Sequence, residues 1–548
     1  MQDSGKAKYM TALRVLYWLS PVTEMQWPFQ KIWWVRQFLP RIEASLRKAG
    51  YSPENTFLIS ADLMVLVRKE ALELPGDVVA FSQRELLDDY RLNGLDLDWR
   101  FQGGVGSADD YAAVRGLVES KLGEGYVPDV VFAMGPAPFL RNMFPAARFF
   151  HHEYSVFSRP PYPETFAFDP AGIGRRFLIS DESALINSYP ARPEERVALL
   201  SYRNAVLEAL RANDFVTGYF RRLKQQYRRV LLLPLGYENY RETLGGLPHQ
   251  GQFELVEQVL DSVPQDTCVM VTQHPAIQAI PFSRLEELKW IHPNLVLEEW
   301  FEGIPSFSQV AMAYADGCVF DNTSLAYQAA FLGKYLFSLG GVCGGIADGV
   351  GVKSLSGFGD VAPKDRINYF AWILRHYAMD ASDMPRQLRA CLEAGNFGHC
   401  ATSADVVRSM PAVLSSSELI ERLRKWQDEL LTGYAEQLRS NVTPMSKRQV
   451  AKAERDGLVF ARDELTKANA WLEGERSRLE GERVRIEQEH ARQTARLESE
   501  RAAMEDELRS VRMAYDSIRL SRCWRALAPL RAVADLVKRV VSRFRGGK

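Results

Sequence analysis

Cysteine is scarce in this chain of 548 residues. There are six, Cys268, Cys318, Cys343, Cys391, Cys400 and Cys523, and no two form a CxxC pair. That spacing argues against a disulfide framework or a structural zinc site and fits a reducing cytosol. Net charge is nearly absent as well: 68 Lys+Arg stand against 69 Asp+Glu, a formal −1. A chain-wide polybasic nucleic-acid binder and an acidic disordered chain are both excluded. No run approaches the ~18 uncharged apolar residues of a spanning helix. The opening MQDSGKAKYM has no apolar signal core, so no secretory leader is expected. What is abundant is core material, 46% hydrophobic and 11% aromatic, in a length that suits two or three domains.

Apolar runs bounded by Pro or Gly alternate with helical patterns along the first four hundred residues. Residues 12–20, 127–134 and 147–150 read as buried strands, and 28–49 as an amphipathic helix divided or kinked at Pro40. A polar, Arg-rich helix near 203–229 opens a second block. Its strand candidates are 229–235, 267–272, 294–298, 317–320 and 335–339, with helices at 251–262, 283–289, 307–315 and 324–332. The expectation is an α/β protein with a pair of Rossmann-like domains, 10–200 and 201–440, the second including returning helices over 363–440. Ser415 and Glu418 have capping-box spacing, and 440–447 reads as a linker.

Proline is missing between Pro444 and Pro529. There Leu458, Leu465, Leu472, Leu479 and Ile486 recur every seven residues. After a four-residue step near Gln493–Leu497 the seam continues through Met504, Leu508, Val511, Tyr515 and Ile518. This is the pattern of a coiled coil with a stutter over 450–519, and with it a homo-oligomer. The companion positions Arg462, Asn469, Arg476, Arg483 and His490 are polar, which leaves open a single helix held by Glu–Arg pairs. Residues 521–548 form a basic amphipathic pattern. Trp524, Leu527, Leu530, Ala534, Val537, Val541 and Phe544 recur at helical spacing, and eight basic residues face one acid, Asp535. Such a helix suits an anionic membrane surface or an acidic groove on a partner.

Ligands of doubly wound sheets bind beyond the carboxyl ends of strands, so the strand-end residues carry the functional signal. Gln273-His274-Pro275 ends one strand, and His274 can donate a hydrogen bond to a phosphate. Asp321-Asn322-Thr323-Ser324 opens a helix, as an anion site or as an ordinary cap. Glu238, after RVLLLPLGY, is either a nucleophile or base or a solvated loop acid. His151-His152-Glu153 closes a first-domain strand and leads into a rigid Pro-rich loop with Arg159 and Asp169. Adjacent residues on a strand point to opposite faces, which weakens a metal reading of the two histidines. Asp96-Leu97-Asp98 is too short a match to the metal–nucleotide DxD pattern to carry weight. The glycine-rich run 340–351 has no GxGxxG fingerprint and no P-loop lysine, and reads as a mobile loop.

These motifs together resemble GT-B glycosyltransferases, and among them the bacterial capsule and O-antigen β-Kdo transferases that use CMP-Kdo. The resemblance spans roughly residues 10–400. It implies donor-binding roles for Gln273, His274, Asn322, Thr323, Ser324 and Gln328. It implies an acidic nucleophile in the segment of Glu238, and catalytic roles for His274 and Glu153. It places His152, Arg159 and Asp169 on the acceptor side. Tyr240, Gln273 and Gln328 depart from the family's acidic or basic residues at those positions. The ending Ser-Arg-Cys-Trp-Arg-Ala-Leu-Ala-Pro-Leu-Arg is similar to the tail that follows coiled coils in many O-antigen glycosyltransferases. The implied protein is a retaining transferase of surface-polysaccharide assembly, with a nucleotide sugar and a lipid-linked polysaccharide acceptor as partners. It needs no cofactor or metal and binds no nucleic acid. It lies in the cytoplasm, peripheral on the inner face of the bacterial membrane, held to lipid or to another assembly enzyme through 521–548. The alternatives are a non-catalytic scaffold or chain-length regulator, and a transferase using a UDP- or GDP-sugar.

Overall fold

A computed structural model of the chain describes residues 10–19, 28–82, 85, 107–123, 125–133, 140–172, 177–236, 251–274, 278–304, 306–321, 323–339, 343–360, 362–394, 402–441, 447–521 and 525–545. It contains two compact units, Met1–Met445 and Ser446–Lys548.

The first unit holds two six-stranded sheets. Strands β1 (Thr11–Trp18), β2 (Tyr51–Ser60), β3 (Asp77–Phe81), β4 (Val130–Ala133), β5 (Arg148–Tyr154) and β6 (Phe166–Asp169) make the first, in the order β3-β2-β1-β4-β5-β6. Strands β7 (Arg229–Pro234), β8 (Thr267–Thr272), β9 (Leu295–Val296), β10 (Gly317–Phe320), β11 (Tyr335–Ser338) and β12 (Gly349–Val350) make the second, in the order β12-β11-β10-β7-β8-β9. Both orders are the doubly wound 3-2-1-4-5-6, with switch points between β1 and β4 and between β7 and β10. All pairings are parallel except β5–β6. Val, Ile, Leu and Phe fill the central strands because both faces are covered by helices. The expected α/β fold with a GT-B-like pair of Rossmann-like sheets is therefore present.

Local chemistry explains where elements stop. Pro40 sits in the first turn of helix Leu39–Ala49, so the apolar run 28–49 breaks at Phe38 into two helices. The second helix ends at Gly50, in the left-handed conformation at φ 96°. Asn213 breaks the Arg-rich helix in two: its side chain accepts from the Val216 N–H at 3.0 Å and starts Asp214–Gln226 after Pro193–Leu210 has ended.

The chain then returns to the first sheet. Phe166 and Met379 exchange backbone hydrogen bonds at 2.8 and 3.0 Å. Arg389 donates to the Ala49 carbonyl at 2.8 Å, pinning helix Met384–Glu393 against Leu39–Ala49. The glycine-rich run, read above as a mobile loop, forms a turn and strand β12 over 343–351. A Cβ on Gly345 would lie 2.5 Å from Ser183 Oγ and 2.8 Å from the Ala184 nitrogen, so only glycine fits without a shift.

The second unit is one 74-residue helix, Lys447–Leu520, and a second helix, Ala528–Arg545. At 1.5 Å per residue the long helix extends about 110 Å. Pairs at i,i+4 line it, among them Arg476–Glu480, Arg483–Glu487 and Arg501–Glu505.

Candidate functional site

The carboxyl edge of the second sheet carries most of the candidates. β7 ends in Leu235 and Gly236, β8 leads into Gln273 and His274, and β10 leads into Asp321. A buried amide joins two of these ends. Gln252, at the first turn of helix Gln252–Ser262, accepts the Gly236 N–H at 3.0 Å and donates Nε2–H to Asp321 at 3.3 Å. It thus braces the β7–β10 switch point, where the fold exposes strand ends to a ligand. Nothing in the sequence marked Gln252; a glutamine after a glycine carries no motif.

His274 is partly buried. Burial first, and the Arg159 guanidinium second, hold its imidazole below the ordinary histidine range. At neutral pH it is therefore a neutral hydrogen-bonding group rather than a cation. Its neighbour Gln273 is spent on the loop. Its Nε2 donates to the Ile280 carbonyl at 2.7 Å and its Oε1 accepts the Ala279 N–H at 3.0 Å.

Thr323 accepts the Leu325 N–H at 3.3 Å, while Ser324 caps helix Leu325–Phe331 by position with no side-chain bond. Gln328 is 1% exposed, and its Oε1 has no hydrogen-bond partner among the described residues. Glu238 and Asn322, like Asp96-Leu97-Asp98, lie outside the described residues.

The first sheet contributes from β5 and the loop after it. The two histidines point to opposite faces, as strand geometry requires. His151 packs edge-on against Phe149 at 4.9 Å between ring centres. His152 stacks on Phe168 at 4.6 Å, and its Nδ1–H donates to the Ala167 carbonyl at 3.0 Å. It is 2% exposed, and burial pushes its pKa down to about 3. Its place is inside an aromatic core.

Asp169 is also fully enclosed. One oxygen accepts the N–H groups of Ala171 (2.7 Å) and Gly172 (2.9 Å). The other accepts the Leu178 N–H (2.9 Å) and the Tyr377 hydroxyl (2.8 Å). Burial still lifts its pKa to about 6. Four donors on one carboxylate make it the fastener of the loop after β6.

Glu153, on the His151 face of β5, has its pKa raised by burial, against the Tyr154 N–H bond and Arg159. Arg159, exposed on the loop that contains the cis Pro160-Pro161 bond, lies within electrostatic reach of both Glu153 and His274. Tyr377, from the returning segment, feels both Asp169 and Glu153. Arg159 lies within electrostatic reach of Glu153 and of His274, while His152 and Asp169 take packing and fastening positions. Among the described residues no three His, Cys, Asp or Glu side chains gather into a metal-holding group.

No protein-family model matches the chain, and no curated protein matches it significantly. Solved structures do. The β-Kdo 2,7 transferase KpsC of Thermosulfurimonas dismutans is 13% identical, over 54% of this chain and 96% of its own, with a TM-score of 0.31. A Listeria monocytogenes protein assigned as a UDP-N-acetylglucosamine 2-epimerase is 14% identical, over 70% and 96%, with a TM-score of 0.25. The wall teichoic acid polymerase TagF is 12% identical, over 77% and 90%, with a TM-score of 0.19. With every TM-score below 0.5, what the chain does must be argued from its own residues.

Proposed function

We propose that the chain is a glycosyltransferase of bacterial surface-polysaccharide assembly that moves Kdo from CMP-Kdo to a lipid-linked glycan with retention. The observation that carries this reading is an exposed guanidinium, Arg159, on the loop after β5 and within electrostatic reach of both Glu153 on the first sheet and His274 at a strand end of the second. CMP-Kdo is anionic at its phosphate and at its sugar carboxylate. A guanidinium beside a neutral imidazole donor suits that pair of charges. Gln328, which the resemblance puts on the donor side, keeps a buried Oε1 acceptor with no partner among the described residues.

In this mechanism the Glu238 carboxylate attacks the anomeric carbon and CMP departs, its phosphate held by His274 and Arg159. The acceptor hydroxyl then attacks the same carbon, the bond to Glu238 breaks, and the hydroxyl proton passes to Glu153. Burial favours the protonated form of Glu153, which suits a group that accepts that proton. On this reading Asn322, Thr323 and Ser324 bind the donor.

The test is transfer from CMP-Kdo to a lipid-linked glycan by wild type and His274→Ala. Expected are turnover by wild type and a loss of about a hundredfold in the variant, with an unchanged melting temperature. A wild type with neither turnover nor CMP binding would defeat the reading and favour the non-catalytic scaffold that Tyr240 motivates. Turnover with a UDP- or GDP-sugar instead would correct the donor.

We also propose that helix Ala528–Arg545 holds the enzyme at an anionic membrane surface. No described helix is long and apolar enough to cross a membrane. Leu530, Val533, Leu536, Val537 and Val540 stand exposed along this one, beside Arg531, Lys538 and Arg539.

A further inference from the structure

A row of large apolar side chains lies uncovered on the second half of the long helix. Leu497, Met504, Leu508, Val511, Tyr515 and Ile518 are between 55% and 69% exposed. Successive spacings of seven, four, three, four and three place them on one seam, with Arg501 filling the skipped position. In heptad terms Leu497, Met504, Val511 and Ile518 are d residues, and Arg501, Leu508 and Tyr515 are a residues.

We infer that this seam pairs with the seam of a second copy of the chain, running antiparallel, about a two-fold axis between Arg509 and Ser510. The first argument is the core. A parallel pair would set Arg501 against Arg501. The antiparallel pair sets each a residue against a d residue. Leu508 then meets Val511, Tyr515 meets Met504 and Arg501 meets Ile518, each contact occurring twice by symmetry. Arg501 already donates to Glu505 at 2.9 Å within its own helix, so its charge is matched while its stem covers Ile518.

The second argument is the flank. The residues that follow the d positions are Glu498, Glu505, Arg512 and Arg519, acidic first and then basic. Antiparallel pairing brings Glu498 to Arg519 and Glu505 to Arg512, all attractive. Parallel pairing brings Glu500, which precedes an a position, against Glu505 of the other copy. That is a like-charge contact, offset only by Glu507 with Arg512.

The third argument is what lies upstream. Arg476, Arg483 and His490 hold the companion core positions there, and a parallel dimer would stack each on itself. In the antiparallel overlap they fall outside the paired region. The helix there is held by its own pairs, Arg476–Glu480 and Arg483–Glu487. The polar half of the seam thus belongs to a single helix and the apolar half to a dimer.

Disulfide trapping in the full chain, in a Cys400→Ser and Cys523→Ser background, tests the orientation. Met504→Cys combined with Tyr515→Cys should yield a covalent dimer of twice 62.2 kDa on oxidation, whereas Met504→Cys alone should not. In the antiparallel pair the two copies of residue 504 are about 16 Å apart along the axis, beyond disulfide reach. Cross-linking of Met504→Cys alone as fully as the pair, or of neither, would overturn the proposal, as would a wild type that sediments as a monomer at tens of micromolar. Charge reversal gives a second readout in the reduced protein. Glu505→Arg or Arg512→Glu alone should weaken the dimer about tenfold, and the two together should restore it. A dimer tightened by Glu505→Arg, as parallel pairing requires, would contradict it.

Discussion

His151 and His152 are neighbours in sequence and look equally fit for a site, yet strand alternation sends them to opposite faces. His152 is the buried one, and its chemistry is that of a core residue. Its pKa, near 3 in the fold and about 6.5 when unfolded, makes protonation favour unfolding. The stability it confers is complete above pH 6.5 and is lost as pH falls toward 3, roughly 5 kcal/mol in all. His152→Phe keeps the ring and loses the bond to Ala167. Urea titrations should show about 1 kcal/mol less stability at pH 7 and a shallower acid decline; an unchanged acid slope would contradict the assignment. Asp169→Ala should cost roughly 3 kcal/mol or more, because it strands buried donors, and a melting curve like wild type would refute the fastening role. Such roles were invisible in the sequence. The residue types at 152, 169 and 273 suit a ligand as well as a loop, and only the partners decide. His274 and Arg159 stood out in the sequence because strand ends and rigid loops mark where a doubly wound sheet takes its ligands, and their roles are proposed above.

At the scale of elements, legibility followed continuity of the apolar runs. β7, β8, β10 and β11 are buried on both faces and read directly, within a residue at their ends. β2 begins Tyr-Ser-Pro-Glu-Asn, a largely polar first half, and β3 is only five residues long and begins with Asp77, which hid them. β6 was hidden inside a Pro-rich stretch that reads as loop. The connection from β11 to the returning helices holds a buried ion pair that no pattern revealed. Arg366 donates to Asp348 at 2.6 Å and to the carbonyls of Ile346, Lys364 and Lys334. Arg366→Ala leaves Asp348 buried with its charge unmatched and should cost about 3–5 kcal/mol, read as a fall in the urea midpoint. In the tail, Leu530→Glu with Val537→Glu should abolish sedimentation with vesicles containing anionic lipid. Sedimentation unchanged from wild type would point to a protein partner.

Across the whole molecule the net charge of −1 is a sum of unlike parts. Residues 521–548 carry +7 and residues 452–520, within the long helix, carry −2, which leaves −6 on the first 451 residues. An antiparallel dimer would give each assembly two basic tails, and their joint affinity for a membrane exceeds that of one. The second sheet carries the proposed donor site: on that proposal its carboxyl edge binds CMP through His274, with the Arg159 guanidinium of the first sheet in electrostatic reach. Calorimetric titration of the full chain with CMP, UMP and GMP tests it most directly. CMP should bind, UMP and GMP should bind about tenfold or more weakly, and CMP binding should be lost in both His274→Ala and Arg159→Ala at unchanged melting temperature. No heat with CMP, or CMP affinity that survives both substitutions, would contradict it.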